Sequence, residues 1–170
     1  LGGALFTNGD TVKAEQAWQE GLTMAIRLGD RANVAWSKVL LVSARVGEYP
    51  LPNDPLLSEA EKTATDVGIR KLVILINLLR GLLTALHGDY QQGYDIIDKI
   101  YPQKQEDRLL AVFGAWGYCI AAVGLKEYML LRQFIMRGFE LAPRKRTIAP
   151  GLFAPSVILL IHDKNFEFAA

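Results

Sequence analysis

The chain has 170 residues, of which 51% are hydrophobic and 22% charged; that is enough apolar side chain for one sizeable core and too much for a disordered segment. Its 19 basic and 18 acidic residues leave a net charge of +1, so no global field draws it to nucleic acid or an anionic membrane. The single Cys119 excludes an internal disulfide and points to a reducing compartment, the cytoplasm.

The opening stretch, LGGALFTNGDTVKAEQAW, reads as the second half of one helix, a turn at Asn8-Gly9-Asp10, and the start of a second helix over 11–28. There is no initiator Met and no cleavable leader pattern. Further helices are predicted over 32–46, 55–67, 69–87, 90–101, 107–123, 126–141 and roughly 151–162, from apolar residues recurring at helical spacing. No stretch alternates with period two over strand length. Between the helices predicted over 32–46 and 55–67, EYPLPNDPLL carries Pro50, Pro52 and Pro55; the first two forbid helix, and Pro55 suits a first helical position. The segment around 69–86 is long and apolar, but Arg70, Lys71, Asn77 and Arg80 interrupt it. A charge at mid-bilayer is costly, so this is a buried helix and not a membrane span. The last break, APRKRTIAPG, contains the one dense positive cluster, Arg144, Lys145 and Arg146. It reads as a solvated loop at a helix C-terminus, with a contact to phosphate or an acidic partner as the alternative.

A turn pattern recurs along the chain: NGDTVKA, VGEY, HGDYQQG, VGLKEYM and a degenerate DKNFEFA. Taking Gly9, Gly47, Gly88, Gly124 and Lys164 as equivalent gives spacings of 38, 41, 36 and 40. A second match aligns GLTMAIRLGDR with AEKTATDVGIR at an offset of 39, sharing Gly29/Gly68 and Arg31/Arg70. Each period holds two helices; the first closes at the Gly turn, Asp10 or Asp89 caps the second, and Ala14 or Gly93 lets the two approach. The expectation is an all-α array of antiparallel helix pairs with Gly47, Gly88 and Gly124 in short turns, forming one helical-repeat domain over 1–170. Both ends fall inside repeats, so the chain is read as a fragment of a longer array.

This pattern resembles the tetratricopeptide repeats: a Gly-Asp-Tyr-like turn, a small residue five after the Gly, and an aromatic eleven before it at Trp36, Phe113 and Phe153, with Asn77 as the exception. Gly2, Gly81 and Gly117 fit the family's small position, whereas Leu40 and Val157 depart, and the spacing exceeds the usual 34. The longer A-x-x-x-G-D-R form resembles the sensor repeats of large bacterial signalling ATPases and transcriptional activators. The resemblance implies an α-α superhelix whose first helices line a concave face. Its groove positions fall on Val34, Ser37, Leu41, Ala44 and Arg45; on Leu75, Leu78, Leu82, Ala85 and Leu86; and on Ala111, Gly114, Tyr118, Ala121 and Ala122. Such a groove is mostly apolar, with Arg45 and Tyr118 as polar handles, and suits an amphipathic helix or apolar ligand.

Catalytic constellations are missing. No phosphate loop or G-x-G-x-x-G is present. His87 and His162 sit at helix ends without a ligand set around them, and Cys119 lies in an apolar helix as a small hydrophobe. Trp18, Trp36 and Trp116 are read as packing residues, and Glu59, Glu61, Glu106 and Asp107 as acids that favour helix starts. No catalytic residue, metal or cofactor is expected, nor direct contact with nucleic acid or membrane. The expected function is a non-catalytic interaction or sensor scaffold for a protein, a peptide or another domain of the same chain. An inducer-binding domain enclosing a small apolar ligand is the alternative. A helical-toroid enzyme would need clustered acids or histidines that this chain lacks.

Overall fold

The computed structural model describes residues 10–48, 50–101 and 107–141, with the isolated positions 2 and 158. Seven α-helices run through these residues: α1 (Thr11–Arg27), α2 (Arg31–Ala44), α3 (Pro55–Asp66), α4 (Arg70–Leu86), α5 (Tyr90–Ile100), α6 (Arg108–Leu125) and α7 (Tyr128–Leu141). A 3-10 turn, Val46–Glu48, follows α2, and there is no strand among the described residues. The protein is thus all-α. The predicted helix over 151–162 and the cluster Arg144, Lys145 and Arg146 lie outside the described residues.

Local chemistry fixes where these helices begin. Asp10, Asp30 and Asp89 each accept a hydrogen bond from the backbone N–H three residues on, and Asp54 from Leu56. Asp107 accepts from both Leu109 and Leu110. Each bond satisfies an amide that the first turn otherwise leaves without a partner. Pro55 opens α3, as its fixed φ favours. Helix α4 starts at Ile69 without a side-chain cap; its stability comes from burial.

The helix ends share one device. After α1, α3 and α4, Gly29, Gly68 and Gly88 adopt positive φ. In each case the next residue's N–H reaches five residues back, as from Asp89 to the Thr84 carbonyl at 3.2 Å. After α6 the same pair of bonds forms, but the left-handed residue is Lys126, at φ 61°. Gly124 is not in the turn: it belongs to the last turn of α6. The expected equivalence of Gly88 with Gly124 is therefore corrected to Gly88 with Lys126. Lys126-Glu127-Tyr128 mirrors Gly88-Asp89-Tyr90 in residue character, and that was the usable signal. Gly47 lies in the 3-10 turn between α2 and α3.

Successive helices pack on one another, and α4 also packs broadly on α6 and narrowly on α2. Helix α4 is the centre of the core: Leu72, Leu75, Ile76, Leu78, Leu79, Leu82 and Leu83 have no solvent exposure. It touches α2, α3, α5 and α6, which explains an apolar character on nearly every face. Among the described residues no helix is long and apolar enough to cross a membrane. Small residues permit the closest approaches. Gly93 of α5 lies against Ala85 and the Gly81 carbonyl of α4, while Ile97 wedges between Gly81 of α4 and Gly117 of α6.

Ion pairs tie neighbouring helices at the rim. Arg31 and Lys38 of α2 pair with Asp66 and Glu59 of α3, and Glu61 of α3 pairs with Arg80 of α4 at 2.6 Å. Lys71 of α4 pairs with Asp107, the cap of α6, at 2.6 Å. The Lys71 ammonium holds the Asp107 carboxyl below its ordinary value of 3.8.

Candidate functional site

The positions carried over as a groove do not form one open face. Val34 and Ser37 are half-buried on α2, Val34 packing against the Ala14–Trp18–Leu22–Leu41 cluster. Leu41 is 3% exposed, and Leu75, Leu78 and Leu82 are fully buried. The ring of Tyr101 covers Gly114, and Tyr118 is 3% exposed. Leu41, Leu75, Leu78, Leu82, Gly114 and Tyr118 are thus interhelical packing and offer a ligand no open surface. The physical reason is that neighbouring helices use every face of α4. Arg45, expected as a polar handle, closes the end of α2: its Nε donates to the Leu41 carbonyl at 3.3 Å and lies 3.7 Å from Glu15 of α1.

Tyr118 nevertheless leads to a site. Its hydroxyl donates to Asp98 Oδ1 on α5 at 3.0 Å. Its ring stacks parallel on Phe134 of α7, with centroids 4.1 Å apart. Tyr94 of α5 and Tyr101 at its C-cap meet the same ring edge-on, at 5.3 and 5.6 Å. Offset and edge-to-face contacts of this kind add to plain area burial. Above this cluster lies a cleft of about 480 Å³ between α5 and α7, lined by Tyr94, Asp98, Tyr101, Tyr118, Gln133, Phe134 and Arg137.

Helix periodicity assembles the two walls. Tyr94 and Asp98 stand at i and i+4 on one face of α5, and Tyr101 follows directly at the helix's C-cap; Gln133, Phe134 and Arg137 occupy one side of α7. Tyr101 Oη donates to the Ala111 carbonyl at 3.4 Å, which holds that ring as floor. The Tyr94 hydroxyl, the Gln133 amide and the second Asp98 oxygen have no hydrogen-bond partner among the described residues. Burial, then the Asp98 and Asp95 charges, raise the Tyr94 phenol above its ordinary value. Burial, then the bond to Asp98, do the same for Tyr118. Both phenols therefore stay protonated at neutral pH; Tyr118 donates to Asp98, and the Tyr94 hydroxyl is left as a donor for a ligand.

A second cleft, of about 560 Å³, lies where the proline loop meets α4 and α5, lined by Pro52, Asn53, Arg80, Thr84, His87, Asp89, Gln92 and Ile96. Four of its polar residues are engaged within the fold. Arg80 pairs with Glu61, Thr84 Oγ1 donates to the Arg80 carbonyl, His87 Nε2 lies 3.1 Å from the Pro50 carbonyl, and Asp89 caps α5. This arrangement anchors the loop. The thiol of Cys119 is buried without exposure and pushed up to about 12 by that burial, so it is no nucleophile at neutral pH. Among the described residues no group of three or more His, Cys, Asp or Glu side chains is placed to hold a metal.

Sequence reasoning placed only Tyr118 and Gly114 near this site. Tyr94, Asp98, Tyr101, Gln133, Phe134 and Arg137 escaped it; the Tyr94–Asp98 pair at i and i+4 on α5 was the readable signal. Comparison with protein-family models, with curated proteins and with solved structures finds no match.

Proposed function

We propose that this chain is a non-catalytic interaction or sensor scaffold: a tetratricopeptide-like helical-repeat segment of a signalling or transcription regulator that takes a peptide or partner domain. The observation that carries this reading is the cleft between α5 and α7. It combines aromatic walls with polar groups that are open to a ligand, Tyr94 Oη, Gln133 and the second Asp98 oxygen, on two helices, which is how recognition sites achieve orientation on an apolar platform. The recognition surface proposed is this cleft and not the first-helix face. Leu75, Leu78 and Leu82 are consumed by packing, which also counts against an enclosed apolar chamber for an inducer.

The test is site-directed photo-crosslinking in the native cell. A photoreactive residue replaces the exposed Gln133 at the cleft or, as control, the exposed Glu20 on α1. The expected result is a discrete cross-linked partner from position 133 and none from position 20. No product at 133, or the same products at both positions, refutes the cleft as a recognition surface.

A further inference from the structure

We infer that the cleft between α5 and α7 receives a guanidinium group from a basic segment of the partner, with Asp98 as its counter-ion and the rings of Tyr94 and Phe134 as its walls. The inference rests on the scaffold reading above and names the chemistry of what binds. Asp98 is exposed, and one of its oxygens is engaged by the Tyr118 hydroxyl. That bond fixes the carboxylate's orientation and leaves the second oxygen for an incoming donor. Tyr94 and Phe134 are only half-buried, so their rings bound the open part of the cleft. A guanidinium is planar and weakly hydrated, stacks on aromatic faces and donates several hydrogen bonds to a carboxylate. The Gln133 carbonyl can accept a further N–H.

The charges around the site decide the sign of the ligand. Asp98 on α5 and Arg137 on α7 are the two charged residues lining the cleft. Beyond burial, the Tyr94 phenol is raised by the Asp98 and Asp95 charges, and the Tyr118 phenol by Asp98, Tyr94 and Tyr101. With one oxygen held by the Tyr118 hydroxyl beside the half-buried rings of Tyr94 and Phe134, the Asp98 carboxylate favours a cation at the aromatic end of the cleft. Lys99, one residue beyond Asp98 on α5, is exposed and is not part of the lining.

The experiment is isothermal titration of the intact chain with N-acetyl-arginine amide, its uncharged isostere N-acetyl-citrulline amide, and free arginine. Saturable binding of the arginine amide is expected, with the citrulline probe at least tenfold weaker. Asp98→Asn should weaken the arginine amide at least tenfold with an unchanged melting temperature, because Asp98 is exposed. Tyr118→Phe, which removes the positioning bond, should weaken it several-fold, and Arg137→Gln should leave it equal or tighter. Absence of saturable binding, equal affinity for the citrulline probe, or indifference to Asp98→Asn overturns the inference. So does an Arg137→Gln variant that loses binding, which would mark an anion site. Free arginine binding tenfold tighter than the amide, with that advantage lost in Arg137→Gln, identifies a free amino acid and overturns the partner segment. A partner that still cross-links at position 133 while no guanidinium binds leaves the scaffold reading standing and removes this one.

Discussion

The contact of Ile97 with Gly117 offers the sharpest test of how the helices fit. Gly117 lies in mid-α6, and a Cβ placed there would meet Cδ1 of the fully buried Ile97 well inside van der Waals distance, with the Leu82 Cα 3.6 Å away. Overpacking of this kind costs about 1–3 kcal/mol. Replacing Gly by Ala within a helix returns about 0.8–1 kcal/mol of propensity. Gly117→Ala is therefore expected to destabilise by roughly 0–2 kcal/mol, against the sign of propensity. Gly21 is the control: it is exposed in mid-α1, with only Ser37 Oγ at 3.9 Å, so Gly21→Ala should stabilise by about 0.5–1 kcal/mol. Ile97→Val removes the clashing Cδ1 and alone costs about 0.5–1.5 kcal/mol. The double variant Gly117→Ala/Ile97→Val should beat the sum of its singles by about 1 kcal/mol or more, beyond the roughly 0.3–0.5 kcal/mol scatter of independent sites. Urea melts give the free energies, and thermal melts should show about 2–4 °C per kcal/mol. If Gly117→Ala stabilises as Gly21→Ala does, or if the two sites are additive, the wedge is not there.

Three further outcomes follow from single residues. Lys126→Gly should raise stability by about 1 kcal/mol, because a left-handed non-glycine costs roughly that much; a lower melting temperature would show that Lys126 does not hold φ 61°. Cys119 should resist an aromatic disulfide reagent at neutral pH in the folded chain and react on unfolding, since its thiol is buried and pushed up to about 12; rapid labelling without denaturant contradicts this. In acid, Asp30, Asp107 and Glu59 are held below their ordinary values of 3.8 and 4.5, by the Asn33 amide, by Lys71 and by Lys38 respectively. A lowered folded value contributes stability that is complete above the ordinary value and lost as pH falls through the folded one. The melting temperature should therefore hold steady above these values and fall below them, and a rise on acidification would reverse the assigned sign.

The helix boundaries were legible because their causes are local. An Asp followed by an apolar repeat marks a start, and a Gly two residues past the last turn marks a stop, so 11–28, 55–67 and 69–87 differ from Thr11–Arg27, Pro55–Asp66 and Arg70–Leu86 by a residue or so. The cleft was not legible for the opposite reason. The bond from Tyr118 to Asp98 and the stack of Tyr118 on Phe134 join three helices. No periodicity within one helix says which face the next will cover. The ion pair of Lys71 with Asp107, 36 residues apart in the chain, was invisible for the same reason.

The misplaced groove has a more specific cause, and it shows what a repeat register can and cannot carry. Anchoring the third pair on Gly124 put Gly114 and Tyr118 at the positions of Leu78 and Leu82. The turn geometry instead makes Lys126 the counterpart of Gly88, which moves those positions to Trp116 and Ile120. These two are half-buried, where Leu78 and Leu82 have no exposure. Even in the corrected register, then, equivalent positions differ in accessibility. Helix α4 is packed on by α2, α3, α5 and α6, whereas the described neighbours of α6 are α4, α5 and α7. Burial of a helix is set by the neighbours that pack on it and not by the turn that closes it. The cleft between α5 and α7, over the Tyr118–Asp98 bond, is for that reason the surface proposed above in place of the first-helix face.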